Sequence, residues 1–555
     1  MTRTKKNKPG SGKGAEKAAK SQTYEAPQMT NGKIPQWKLG QPKDFYSNFV
    51  HKRQPVVIQG KLDDLDFVTK NWSNVDYLRE TAGDAPVKVE PMHKEKKRYG
   101  TDVERVDTTF GAFLDSLKEE KDEYDYLTTQ YSDDEDDMDS EDDDDDGEEK
   151  EDGQDNEIKN GTFPQPVRAL LRDEVPMRPE VMGNLVLQQM NIWLGKTKSG
   201  TSSGLHHDFH DNLYILLKGR KRFVLYPPSA VHHLDTYGKP KKIHPNGLIV
   251  YKQPGEDEED MEEEEENEAD QIRADGLVER DAAALKVQAL EEQMDKLEES
   301  GEKKGLDKIQ KEYGDAVERL MKYQAADFGE LGEDDFDEVS SEEESDPEDL
   351  KDQVLRDVPN KKRKADEDLS GSKPSKTAKA GAEDDQDSDA SDDDSDAELL
   401  EALERAQNGQ RDDFDDDEDA SDLEEAFANA QGEDSAFPTE PLSFSQVSTQ
   451  DLHSHLGLTS PQKTSTALEQ AGKPYIVELK AGDMLYLPTS WFHEVTSFSD
   501  EKSEDNVHIA LNYWFHPPDA QKPGYEKPYA DATLWKFMEE KVKGAYESLI
   551  ADKEN

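Results

Sequence analysis

Three residues of this chain could share one metal ion. His206 and Asp208 stand in GLHHDFHDNLYILLKGRKRFVLYPP at 204–228, and His493 stands in GDMLYLPTSWFHEV at 482–495. Alternate residues of an extended segment point to the same side, so His206 and Asp208 converge while His207 points away. Two imidazoles and one carboxylate on one face of an iron ion leave the opposite face open for a second ligand and dioxygen, the arrangement of non-haem Fe(II) oxygenases. These residue types in this order predict an oxygenase site, with His206, Asp208 and His493 as metal ligands. A His-x-Asp alone is a weak signal, and a second copy, His233 and Asp235, follows the Pro227-Pro228 break. That copy has no strand hairpin after it and is expected in a loop.

An acidic cosubstrate facing such a metal needs a cation. Lys221 lies fifteen residues beyond His206, on the return strand of a hairpin that turns at Gly219. Its ammonium could pair there with a distal carboxylate. Period-two alternation puts the flanking Arg220 and Arg222 on the other face. The elements that must position these groups are legible too. PVVIQG at 55–60 reads as a strand, VDYLRETAG at 75–83 as a helix ending at Gly83, FGAFLDSLKEE at 110–120 as a helix and YDYLTTQY at 124–131 as a strand. GDMLYLP is a strand entered from a Gly-Asp turn, with Pro488 and Trp491 shaping the bend before His493.

Composition shifts divide the chain. Residues 1–33 are a basic, Lys-, Gly- and Ser-rich tail expected to be disordered; 34–131 have ordinary composition; 132–162 are an acidic insert, since like charges cannot collapse on themselves. Residues 163–253 carry the first half of the site and 446–517 the second. Between them, 254–445 are acidic and of low complexity, except for a helical hairpin expected over about 277–325. There Val287, Leu290, Met294 and Leu297, then Leu306, Ile309, Tyr313, Val317 and Leu320, recur at three- and four-residue steps around SGEKKG. LLEALERAQ at 399–407 and DLEEAFANAQ at 422–431 read as weak helices that fold on a partner. Residues 518–555 end in a helix whose apolar stripe, Leu534, Trp535, Met538, Val542, Tyr546 and Leu549, docks on the core or, alternatively, on a second copy in a homodimer.

The set IWLGKTKSGTSSGLHHDFHDNLYILLKGRKRFVLYPPS, GDMLYLPTSWFHEV and HIALNYWF resembles the Jumonji-C family, in particular its small, cupin-like, hydroxylase-type branch. The likeness covers about residues 34–131, 163–252 and 470–550. It implies a mainly β fold, a double-stranded β-helix or jelly-roll with flanking helices, to which composition adds the long disordered acidic insertions. It implies Fe(II) held by His206, Asp208 and His493, and 2-oxoglutarate as cosubstrate. On matching positions, Lys221 would bind its far carboxylate, Tyr126 and Ser203 would be hydroxyl partners, and Asn212 and Asn512 would line the same pocket. The implied reaction is oxidative decarboxylation of 2-oxoglutarate to succinate with hydroxylation of a C–H bond. The chain departs from the family pattern in its two acidic inserts, which the core tolerates because loop-closure cost grows slowly with length.

Charge and composition bound the partners. With 32% hydrophobic residues and a net charge of −60, much of the chain cannot be core. That charge argues against direct nucleic-acid binding by the whole protein and for basic protein partners, histones or ribosomal proteins, at the inserts. The absence of cysteine excludes disulfides, Cys-ligated zinc and a thiol nucleophile. No apolar leader or membrane span is evident, so a soluble intracellular protein of nucleus or cytoplasm is expected. KKRK at 361–364 fits a nuclear localisation signal, though such clusters also arise freely in charged tracts. Ser340, Ser341, Ser345, Ser388, Ser391 and Ser395 stand in acidic contexts suited to acidophilic kinases. The leading reading is a dioxygenase that hydroxylates a protein or peptide side chain. The alternatives are a histone lysine demethylase and a non-catalytic acidic histone chaperone built on a cupin scaffold.

Overall fold

The computed structural model of the protein describes residues 24–27, 32–101, 103–130, 153–252, 268–301, 304–328, 440–459, 465–520 and 524–554. Their strands, in chain order, are β1 (Gln36–Lys38), β2 (Val56–Gln59), β3 (Pro86–Glu90), β4 (Val106–Thr109), β5 (Tyr126–Leu127), β6 (Leu187–Gly195), β7 (Thr201–Ser202), β8 (Asp211–Lys218), β9 (Arg220–Tyr226), β10 (Pro240–Ile243), β11 (Ile249–Tyr251), β12 (Tyr475–Lys480), β13 (Met484–Leu487), β14 (Phe492–Phe498) and β15 (His508–Phe515). A nine-stranded sheet runs β1-β2-β13-β8-β15-β6-β5-β3-β4, and a four-stranded sheet runs β12-β9-β14-β7. Apart from the parallel β1–β2 pair, the strand pairs of both sheets are antiparallel. From β6 to β9, and again from β12 to β15, each successive strand lies in the other sheet, which is the expected double-stranded β-helix.

Side-chain burial on both faces explains why β8 is continuously apolar from Leu213 to Leu217. Leu213, Ile215 and Leu217 face an outer core built with the amino-terminal helices and the carboxyl-terminal helix. Tyr214 and Leu216 face the inter-sheet core with Phe223, Leu225, Tyr475, Val477 and Trp491. Both faces are covered, so each position can be hydrophobic. The edge strand β12 shows the opposite case: Tyr475, Val477 and Leu479 are buried while Ile476, Glu478 and Lys480 face out. Between β8 and β9, Gly219 turns with φ of +84°, and a Cβ there would lie 2.6 Å from the carbonyl oxygen of Phe498. A side chain would force the two sheets apart at this corner.

Helices formed where periodicity placed them, at Val75–Ala82, Phe110–Ser116, Glu279–Ser300, Leu306–Phe328 and Ala532–Glu554. Asn74 and Thr109 cap the first two through their side-chain oxygens. Of the stretch expected as a strand at 124–131, the described residues 124–130 form the two-residue strand β5, a longer pairing being replaced by side-chain contacts such as Gln130 with the backbone of Lys88. The carboxyl-terminal stripe is spent on the chain's own core: Trp535, Val542 and Leu549 are buried there, with Met538 and Tyr546 against it. The helix Glu279–Ser300 packs on the same helix, with ion pairs Lys286–Asp531, Lys296–Glu540 and Lys541–Glu292.

Structure extends beyond the ordinary-composition boundaries at three places. A helix, Gly153–Thr162, precedes Phe163; residues 268–278 pack into the core, where Trp535 donates to the buried carboxylate of Asp275 at 3.2 Å; and residues 440–445 lie against β-helix residues. Each piece is anchored by a few specific contacts that average composition does not reveal. The residues 361–364, 399–407 and 422–431, the six acidic-context serines, most of the acidic tracts and all but four residues of the basic tail up to Asn31 lie outside the described residues. Among the described residues, no helix is long and apolar enough to cross a membrane.

Candidate metal centre and cosubstrate pocket

His206 and His493 are brought together by the backbone. Each donates its N–H to the other's carbonyl, at 3.1 Å from His206 and 2.6 Å from His493, forming an isolated antiparallel bridge. Their rings lie 4.3 Å apart, centroid to centroid. Asp208 is two residues on, and its carboxylate oxygens are 4.0 Å from His206 Nε2 and 3.6 Å from His493 Nε2. Two donors can touch one ion only if they are separated by less than about twice a metal–ligand bond, roughly 4.2 Å for bonds of ~2.1 Å. Both distances satisfy this, and the three donors are the one His/Asp/Glu cluster of metal-binding geometry among the described residues.

The imidazoles present the correct nitrogen. His206 Nδ1 is 3.1 Å from the carbonyl oxygen of Gly204, and His493 Nδ1 is 2.9 Å from that of Trp491. A carbonyl only accepts, so each Nδ1 carries the proton and each Nε2 lone pair faces the aspartate side. Burial, with His493 beside it, holds the His206 pKa well below the ordinary histidine range and keeps the ring neutral. Burial pushes the Asp208 carboxyl up, and His493 opposes that shift. His207 points away, as alternation requires, and is buried against Tyr251 with Nε2 2.7 Å from the phenol oxygen. The second motif goes elsewhere: Pro228–His233 form a short 3-10 helix, and Asp235 is exposed with φ of +47°.

A strained turn and a buried ion pair support the ligands from behind. Ser490 has φ of +56°, and its N–H donates to the Asp208 carbonyl at 2.8 Å. A non-glycine residue in this conformation is held there by its surroundings; Ser490 Oγ accepts from Ile249 N–H. Three residues past Asp208, the fully buried Asp211 binds the guanidinium of Arg53 and accepts from Tyr486 Oη at 2.6 Å and Thr489 N at 3.1 Å. Arg53 also receives the Trp491 indole N–H on its carbonyl at 3.2 Å. Sequence reading missed Arg53 and Asp211, because nothing local pairs residues so far apart.

One cavity joins the metal donors to Lys221. Its lining includes His206, Asp208, His493, Lys221, Tyr126, Ser203, Asn212, Asn512, Tyr99 and Ser497. Lys221 is 1% exposed; its ammonium donates to Ser497 Oγ at 2.6 Å and Tyr126 Oη at 3.2 Å, and no carboxylate among the described residues pairs with it. Burial alone pulls its pKa down to about 7. Arg220 and Arg222 are on the other face, paired to Glu478 and Thr496. Tyr126 thus lies beside Lys221 in the lining of the cavity. Ser203 lines the cavity, but its hydroxyl binds backbone, donating to Gly204 O and accepting from Val495 N. Asn512 Oδ1 accepts from Trp193, while Asn512 Nδ2 and Asn212 Oδ1 are buried without partners. Ser497 was missed, although it shares a strand face with His493 and sits opposite Lys221 in register.

This donor set fits Fe(II), being two nitrogens and an oxygen without thiolate. A buried ammonium that no carboxylate among the described residues pairs, and an orphan amide N–H of Asn512 in the same lining, fit a dicarboxylate.

A model of the family described as a cupin-like domain matches residues 42–521. JmjC domain-containing protein 4 of Schizosaccharomyces pombe is 33% identical over 519 residues, 92% of this chain and 89% of that protein. A human bifunctional peptidase and (3S)-lysyl hydroxylase is 39% identical over 59 residues, 11% of this chain and 18% of that protein. A lysine-specific demethylase of Arabidopsis thaliana is 28% identical over 200 residues, 35% of this chain and 38% of that protein. With a matching family model across most of its length and a Jumonji-C relative along nearly all of it, this chain belongs to the cupin-like, Jumonji-C-type family.

Proposed function

We propose that the protein is an Fe(II)- and 2-oxoglutarate-dependent dioxygenase that hydroxylates a protein side chain. The observation that carries this reading is a single cavity with the His206–Asp208–His493 donors at one end and the unpaired, buried Lys221 at the other. When bound, Fe(II) and 2-oxoglutarate supply the oxidising chemistry, in which 2-oxoglutarate, dioxygen and a C–H bond become succinate, carbon dioxide and C–OH. His206, Asp208 and His493 would hold the metal from one side. Lys221, fixed by Ser497 and Tyr126, would hold the far carboxylate of the cosubstrate and fix its direction along the cavity. Tyr126 keeps its proton because burial raises its pKa, so it remains a hydrogen-bond donor.

A second reading, demethylation of an N-methyl-lysine, is favoured by the likeness to the A. thaliana demethylase. The same hydroxylation placed on an N-methyl carbon gives a hemiaminal, which breaks to formaldehyde and the free amine. Mass spectrometry of a peptide library incubated with the purified protein, Fe(II), 2-oxoglutarate and oxygen separates the two. Hydroxylation adds one oxygen to a peptide, and demethylation removes a methyl group with formaldehyde release. Binding of basic proteins that is unaffected by His206→Ala, with no turnover by the native protein, would instead support a chaperone.

A further inference from the structure

The strand-like segment that ends the long acidic excursion is built into the metal site. Phe444 lies face to face with the imidazole of His206, centroids 4.6 Å apart and planes 11° from parallel. The backbone stitches it there: Ser445 N–H donates to Leu205 O at 2.8 Å, and His207 N–H donates to Ser443 O at 3.3 Å. His206 thus has bridge partners on both sides, His493 and Phe444.

The hydrogen bond from His206 Nδ1 to Gly204 O fixes the ring's direction but leaves it free to pivot about that bond. A second ring stacked on its face removes the remaining freedom. Phe444 is itself confined. Gly100 has φ of +69°, and a Cβ there would lie 2.8 Å from Phe444 Cε1. Gly100 is held by Glu90, whose carboxylate accepts its N–H at 2.6 Å. Four residues before Phe444, the buried carboxylate of Glu440 binds Lys96 and, at 3.3 Å, Arg98. The Arg98 guanidinium is 5.7 Å from the centre of the Phe444 ring.

We propose that Phe444 is a positioning residue for the metal ligand His206, and that Glu440 clasped by Arg98 and Lys96 holds it in place. This rests on the metal-site reading above, and it assigns a part of the site to a segment that composition groups with the acidic excursion. Groups that orient a metal's ligands change metal affinity by about 10–100-fold when altered.

The test is anaerobic Co(II) titration of the full-length protein, read by affinity and by the visible ligand-field spectrum. Phe444→Leu keeps an apolar side chain without the ring and is expected to weaken Co(II) binding about tenfold and to alter the spectrum. Phe444→Tyr, which keeps the ring, should match the native protein, and Glu440→Gln should fall between. Native affinity and spectrum in Phe444→Leu, or a Phe444→Tyr as impaired as Phe444→Leu, would overturn the proposal. If Phe444→Leu does not fold, Glu440→Gln decides, and unchanged Co(II) binding there overturns it. A native chain that takes up no Co(II) would overturn the metal reading itself, and this inference with it.

Discussion

His206 and His233 each stand two residues before an aspartate, yet their surroundings differ at every level. His206 follows the short strand β7 and is bridged by backbone hydrogen bonds to a third ligand from a distant strand. His233 ends a 3-10 helix begun by the Pro227-Pro228 pair, and its aspartate is turned into the left-handed region and exposed. The first aspartate's carbonyl receives a strained Ser490 N–H; the second's receives Gln446 N–H in a surface turn. A His-x-Asp motif acquires metal-binding geometry through the strand that folds opposite it and the polar groups that fix its imidazole nitrogens.

The sharpest way to break this comparison is to exchange the two aspartates for alanine in turn. Asp208→Ala should abolish stoichiometric metal binding, measured by metal content after dialysis, while Asp235→Ala leaves it at the native level. Next in size is Arg53→Ala, which strands the Asp211 carboxylate in the core. Breaking one partner of a buried pair costs about 3–5 kcal/mol, read by denaturant unfolding of the metal-free chain, whereas His233→Ala should stay within about 0.5 kcal/mol of native.

Lys221 gives a prediction with two signs. Lys221→Met removes a charge-assisted contact worth about 1.5–3 kcal/mol, so cosubstrate affinity should fall roughly 10- to 150-fold. The same change relieves an unpaired buried ammonium, so the metal-free protein should not lose thermal stability. The pH dependence follows from the ammonium's lowered pKa of about 7. Below that pH the free protein already holds the charged anchor, and affinity is flat. Above it the anchor must regain a proton to bind a carboxylate, so 2-oxoglutarate affinity should fall by up to about tenfold per pH unit, a slope absent in Lys221→Met. A smaller loss is expected for Trp491→Phe, which removes the indole hydrogen bond to Arg53 and part of a buried ring and should cost about 1–2 kcal/mol.

The residues legible in advance were those that strand alternation or helical periodicity controls. His206, Asp208 and Lys221 fall on predictable faces of extended segments, and the stripe from Leu534 to Leu549 at helical spacing ended in the core. The residues that escaped are of two kinds. Ser497 obeyed the same alternation as His493 and could have been found by extending the face four residues along β14. Arg53, Asp211, Glu440 and Phe444 act through contacts between segments distant in sequence. For Phe444 the only local signal was a change from acidic residues to the apolar, proline-containing FPTEPLSF at 437–444. Ser203 shows the limit of carrying a position over from a resemblance, since its hydroxyl is used by backbone groups.

The most direct measurement of the central claim is succinate formation by native protein, Asp208→Ala and Asp235→Ala, each with Fe(II), 2-oxoglutarate and oxygen. Iron-dependent succinate is expected from the native protein and from Asp235→Ala, and none above background from Asp208→Ala. Equal succinate from Asp208→Ala, or none from a native protein shown to bind iron and 2-oxoglutarate, would contradict it.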